Sequence, residues 1–300
     1  MIDYGIEGKT VLVTGGNNPY GIGAAVARAF AAQGAAVFIH YLRQAENADR
    51  AGGDSQDGGE TGLAFFYRQQ RKSADEVVAS IRERGGTADS WECDLGEPDK
   101  AYELFERAER ARGQIDILVN NAVDYQADTF LPVDTLKGGG DLWNGGPSTI
   151  TFSPDGFDHH FSPNVKAAAL LMAEFTARHI AEGREWGRII NVSAEHSQGC
   201  PGEISYTASK HALESYSRSA AAELGPLGIT VNVVSPGPVQ TGYIPMELEK
   251  ELVGDISTRR IGTPQDIANA ILFFASEQAG WITGQVLRVN GGHSLGRVAE

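Results

Sequence analysis

Thr10-Val11-Leu12-Val13-Thr14-Gly15-Gly16-Asn17-Asn18-Pro19-Tyr20-Gly21-Ile22-Gly23 decides the fold. Residues 10–14 are β-branched or apolar throughout and read as a buried strand. From Ala24 to Gln33 the chain is alanine-rich and helical, and Gly34 stops it. A strand, a glycine turn and a helix, in that order, form the first half of a dinucleotide-binding unit. Gly15, Gly21 and Gly23 lack a Cβ and let the backbone approach a pyrophosphate. Asn17, Asn18 and Ile22 complete the turn, and the helix N-terminus offers free N–H groups and a positive dipole end. A glycine turn alone is more often only a turn; its place between strand and helix sets this one apart.

The next strand, residues 36–41, ends at Tyr41, followed by Leu42 and Arg43. An acid at this point binds ribose hydroxyls in many dinucleotide folds. Here no carboxylate stands to repel a 2′-phosphate, and Arg43 can pair with one, so the reading favours NADP(H) over NAD(H). Residues 45–62 are polar and glycine-rich and read as an exposed insertion, with Leu63 to Tyr67 an apolar patch that folds back on the body. A helix is expected over 73–84 and a strand over 87–93, which ends in Asp94-Leu95, where the acid can accept from an adenine amino group or equally cap a turn. Helix 98–112 and strand 115–119 follow, then Asn120-Asn121-Ala122, small residues that suit a cofactor ribose or a plain turn.

Residues 124–158 are irregular, with glycine clusters at 138–140 and 145–146 and an insertion over 137–152. Their place after a central strand puts them beside a substrate, with Phe130, Trp143, Phe152 and Phe157 as pocket or anchoring residues. Helix 156–182 carries Asn164 among apolar neighbours. Strand 187–193, helix 205–224, strand 229–234, a flap over 242–260, helix 264–276 and strand 284–289 complete the chain. Seven strands alternating with six helices predict an α/β fold, a doubly wound (Rossmann) parallel sheet in one domain over 1–300.

Tyr206 and Lys210 are four apart, one turn along the same face of helix 205–224. A cation beside a phenol stabilises the phenolate and makes the hydroxyl a usable acid or base near neutral pH. Ser193, thirteen residues earlier, ends a strand and can face the start of that helix. In isolation such a pair is as often a solvated lysine beside a half-buried tyrosine.

With 41% hydrophobic and 21% charged residues, the chain has the balance of an ordinary globular protein. A net charge of -14 argues against nucleic-acid backbones and anionic membrane surfaces as partners. Cys93 and Cys200 sit in no metal-spaced cluster, so no metal is expected and reduced cytoplasmic thiols are. No apolar run reaches membrane-spanning length, and the acidic N-terminus is unlike a secretory signal.

Taken together, these motifs resemble the single-domain short-chain dehydrogenase/reductases, especially 3-oxoacyl-carrier-protein reductases and broad ketoreductases. Ser193 with Tyr206-x-x-x-Lys210, the Pro201-Gly202 before Tyr206, Asn121-Ala122, Pro236-Gly237-x-Val239-x-Thr241 and the ending Gly-Gln-Val-Leu-Arg-Val-Asn-Gly-Gly carry the likeness over residues 7–292. The resemblance implies that Tyr206 is the general acid/base and that Lys210 binds the nicotinamide ribose and lowers the Tyr206 pKa. It implies that Ser193 holds the substrate oxygen and that Asn164 holds a water in a proton relay. Pro236, Gly237, Val239 and Thr241 would fix the nicotinamide. The substrate would be a small carbonyl or alcohol, and the assembly a homotetramer or homodimer. The chain departs from the family in three places. Its glycine loop is two residues longer and carries no basic residue; Val123 follows Asn121-Ala122; and counting from Asn191 selects Ala194 rather than Ser193. Two other readings stand beside the ketoreductase: a non-catalytic dinucleotide sensor or scaffold, and an enoyl reductase. Glu195 and His196 read more readily as a surface pair than as substrate-choosing residues.

Overall fold

The computed structural model describes residues 3–44, 61–132, 149–195, 199–293 and 295. Most of the insertion at 45–62 and of that at 137–152, Trp143 and His196 lie outside the described residues. In chain order the elements begin β1 (Thr10–Thr14), α1 (Ile22–Ala32), β2 (Ala36–Tyr41), α2 (Leu63–Gln70) and α3 (Asp75–Arg82). Then come β3 (Thr87–Glu92), α4 (Asp99–Arg112), β4 (Ile117–Asn120), β5 (Asp128–Thr129) and β6 (Ile150–Thr151). Next are α5 (Pro154–Phe161), α6 (Ala167–Ala181), β7 (Gly187–Val192) and α7 (Ile204–Leu224). β8 (Ile229–Pro236), α8 (Met246–Val253), α9 (Pro264–Ala275) and β9 (Val286–Val289) close the series.

Seven strands form one parallel sheet in the order β3-β2-β1-β4-β7-β8-β9. Strand residues alternate between two cores. Val11, Val13, Val37, Ile39, Ile117 and Val119 pack with α1 and α9. Leu12, Phe38, Leu118 and Ile189 pack on the other face with Leu104, Phe105, Leu171, Phe175 and Leu224. Burial on both faces is why these strands read as unbroken apolar runs. The strand order reverses between β1 and β4, which opens a crevice beyond their carboxyl ends.

Several expected elements differ. The apolar patch at 63–67 is the start of helix α2, and the flap at 242–260 contains α8. Helices therefore outnumber the expected six. The irregular region holds a two-residue parallel ladder, Asp128↔Ile150 and Thr129↔Thr151. The long helix at 156–182 is two α-helices joined by a π-helical turn at Ser162–Lys166. Pro163 has no N–H to give to residue 159, so the turn widens there.

Candidate active site

Helix α7 carries Tyr206 and Lys210 into a cavity of about 340 Å³. Its start is fixed from outside. The Ser205 N–H donates to Asp128 Oδ1 at 3.0 Å, and the Asp128 N–H donates to the Gly202 carbonyl at 2.9 Å. A buried carboxylate at a helix N-terminus satisfies a free donor and matches the dipole. Sequence reasoning passed over Asp128, because its partner lies 77 residues away.

Lys210 is buried, and its Nζ donates to the Val192 carbonyl at 2.9 Å. Burial lowers its pKa to about 8. The same Nζ lies 5.8 Å from the Tyr206 ring centroid. The Tyr206 pKa is raised above the ordinary phenol value, first by burial, then by the charge of Glu203 and by Tyr243. This differs from the expectation that the lysine makes the phenol more acidic; in this geometry burial outweighs the neighbouring cation.

Ser193 lines the same cavity, but its hydroxyl donates to Glu214 Oε1 at 2.7 Å. A hydroxyl has one proton, so Ser193 faces the cavity with lone pairs. Ala194, the residue selected by counting from Asn191, also lines the cavity. Strand alternation accounts for the division. Asn191 and Ser193 both turn towards α7, where they meet Ser217 and Glu214. Glu214 falls four residues after Lys210, on the face shared with Tyr206, and that spacing was a readable signal.

Asn164 is buried in the π turn and lines neither cavity described here. Its Oδ1 accepts from the Asp124 N–H at 2.8 Å, and its Nδ2 donates to the Asp124 carbonyl at 3.0 Å and to Ser209 Oγ at 3.1 Å. The side chain therefore pins the segment after β4 to α7. Across the cavity Tyr125 donates to Glu203 Oε1 at 2.8 Å, with its ring edge-on to Tyr206 at 5.2 Å.

A second cavity, about 380 Å³, runs along the sheet crevice. Gly15, Asn17, Asn18, Gly21, Ile22, Gly23, Asp94, Leu95, Asn121, Ala122 and Thr241 line it. Pro236, Gly237 and Val239, with Thr241, line the first cavity instead. The glycines are sterically required. A Cβ on Gly23 would stand 2.2 Å from the Gly15 carbonyl oxygen, and one on Gly15, whose φ is +71°, 2.8 Å from the Ala122 Cα. The N-terminus of α1 carries no side-chain cap, so its N–H groups face this groove. A cradle of this shape fits a dinucleotide diphosphate.

The asparagines of the loop serve it differently from expectation. Asn17 Nδ2 donates to the carbonyls of Gln70 and Lys72, and Asn18 Nδ2 to that of Thr241. Their amides brace the longer loop against its neighbours. Tyr41 and Arg43 do not line the groove; His40, Leu42 and Gln44 do. Tyr41 packs in the core beside Ala74 and Val77, and Arg43 pairs with Glu92 at 2.7 Å. Successive residues of an extended strand point to opposite sides, and the predicted pair has the wrong parity.

Among the described residues no helix is long and apolar enough to cross a membrane. Among them no group of His, Cys, Asp and Glu could hold a metal ion. Cys93 and Cys200 are buried and unbridged.

Comparison with known proteins adds independent findings. Residues 139–294 match the family described as enoyl-(acyl carrier protein) reductase, and residues 9–136 match the KR domain. An uncharacterized oxidoreductase, YjdA, of Bacillus subtilis (strain 168) is 30% identical over 289 residues, covering 96% of this chain and 98% of its own. Versicolorin reductase stcU of Emericella nidulans is 31% identical, covering 97% of each chain. A blue fluorescent protein from a metagenomic library, solved in complex with NADPH, superposes with a TM-score of 0.72 at 28% identity, covering 96% of this chain and 99% of its own.

Proposed function

Since the chain belongs to the short-chain dehydrogenase/reductase family, we propose that it moves a hydride between NADP(H) and a ketone or secondary alcohol, with Tyr206 as general acid/base. One observation carries this reading. The cavity holding Tyr206 and Lys210 and the glycine-floored groove share Ile22, Phe66, Asn121, Val123 and Thr241 as walls, so a dinucleotide in one reaches the other.

The bound nicotinamide supplies or accepts the hydride. Gly15, Gly21 and the α1 N-terminus would hold the diphosphate, Asp94 and Leu95 the adenine end, and Asn121 and Ala122 the ribose. Pro236, Gly237, Val239 and Thr241 border the nicotinamide end. Lys210 would hold a ribose hydroxyl, and Tyr206 would give its proton to the reacting oxygen or take one from it. Ser193 contacts that oxygen by exchanging its bond to Glu214. Asn164 is a positioning residue that fixes the Asp124 backbone.

The preference for NADP(H) draws support from the absence of a carboxylate at 41–43, at the end of β2, and from the NADPH held by the metagenomic relative. Here the pairing with Glu92 balances the Arg43 charge, which softens the preference. We extend the reading to a cytoplasmic homotetramer or homodimer of one domain over 1–300, which sedimentation of the purified chain measures.

Tyr206→Phe is expected to lower turnover by about 10²–10⁴-fold while NADPH still binds. Full activity in that variant would remove the acid/base role. NADPH binding with no turnover of any carbonyl would favour a sensor or scaffold. The enoyl-reductase description of the matched family gives a second reading, reduction of a C=C bond. A ketone and an enone of one skeleton, compared as substrates, separate the two.

A further inference from the structure

We infer that Glu195 and Glu203 make the Tyr206 cavity select against anions, so that its substrate is a carbonyl compound whose apolar body is uncharged or cationic. The inference rests on the carbonyl reading above and adds the charge of the substrate. Both carboxylates line the cavity. Glu195 is not the surface residue its sequence context suggests. Its side chain is 5% exposed, its N–H donates to the Pro236 carbonyl at 3.0 Å, and its carboxylate takes Asn290 Nδ2 and, at 3.2 Å, His293 Nδ1. It packs so close to the chain that a Cβ on Gly237 would stand 3.0 Å from its Oε2.

Glu203 lines the same cavity. It accepts the Tyr125 hydroxyl at 2.8 Å and the Cys200 thiol at 3.5 Å. Tyr125 in turn lies edge-on to Tyr206 and faces the Tyr243 ring at 6.4 Å. Glu203 is the leading charged contributor to the raised Tyr206 pKa, so its field reaches the reacting hydroxyl. Phe66, Ile244, Leu248 and Leu252 supply an apolar lining. The basic groups of the described lining are already engaged: Lys210 with the Val192 carbonyl, His293 with Glu195. A carboxylate or phosphate on the substrate would lose its water beside two like charges, and like-charge juxtaposition at an interface is strongly unfavourable. An amide or ammonium in the same place meets no such penalty.

The test uses 4-acetylbenzoate and 4-acetylbenzamide, which share one skeleton and differ in charge. Titration calorimetry of the full chain, loaded with NADP⁺, measures their binding without requiring turnover. The amide is expected to bind at least about tenfold more tightly than the carboxylate. Glu203→Gln and Glu195→Gln, measured separately, should each narrow that gap several-fold. Equal or tighter binding of the carboxylate, an unchanged gap in both variants, or binding of neither ligand would overturn the inference. A preserved gap with no reduction of either ketone by NADPH would instead count against the carbonyl chemistry and leave the charge selection standing.

Discussion

Replacing Lys210 by Met isolates the energetic strain at the centre of the site. In the folded chain the ammonium is buried, and its pKa falls from 10.5 to about 8. That displacement corresponds to about 3 kcal/mol by which folding disfavours the charged lysine. Met fills a similar space without charge and removes the penalty. It also strands the Val192 carbonyl, which now accepts from Lys210 Nζ at 2.9 Å. A buried acceptor without a donor costs about 1–3 kcal/mol. The two terms oppose each other, so near neutral pH Lys210→Met should be neutral to stabilising by about 2 kcal/mol, although it removes a central group of the site.

The pH dependence separates this account from ordinary mutational noise. A lysine with a lowered folded pKa binds more protons unfolded than folded between about pH 8 and 10.5. Stability therefore rises with pH across that window. Below pH 8 both states are protonated and the full penalty stands. From about pH 7 to about pH 9.5 the wild type should gain about 2 kcal/mol relative to Lys210→Met. Urea unfolding of both proteins at the two pH values, without cofactor, gives the difference directly, and other titrating groups cancel. A difference that stays flat within a few tenths of a kcal/mol would refute the burial argument.

Other perturbations read single contacts. Asp128→Ala should lower stability by about 1 kcal/mol or more in urea unfolding, because the Ser205 N–H at the head of α7 loses its acceptor. Asp128→Asn keeps that oxygen and should lose less. Arg43→Ala should leave NADPH and NADH binding nearly unchanged by fluorescence titration, because Arg43 stands outside the groove and pairs with Glu92; a several-fold loss for NADPH alone would put Arg43 at the 2′-phosphate. Ser193→Ala should reduce ketone turnover by less than Tyr206→Phe does, since the Ser193 proton already goes to Glu214. Equal losses in steady-state assays would contradict that.

The sequence made the sheet legible because both faces are buried, which writes each strand as an apolar run between glycines. The Gly15–Gly23 turn was legible for a related reason: steric demand leaves no other residue at Gly23, where a Cβ would meet the Gly15 carbonyl. Helix α2 was hidden because it begins after Gly62, which gives no side-chain cap, so no start signal precedes its aromatics. Parity hid the groove wall at the end of β2. The residue types there are equally polar on both sides, so only the register of β2 against β1 and β3 assigns His40 rather than Tyr41 inward. Asp128 and Glu203 share a deeper difficulty, because each acts through partners brought together by a loop ladder. Asp128 pairs with Ile150 on one side and bridges to Glu203 on the other. A carboxylate in such a place looks like any loop residue until tertiary structure buries it, and burial is what gives its charge reach. Acid/base residues on one helix can thus be found from spacing, whereas the charges that tune them come from segments whose approach no local pattern encodes.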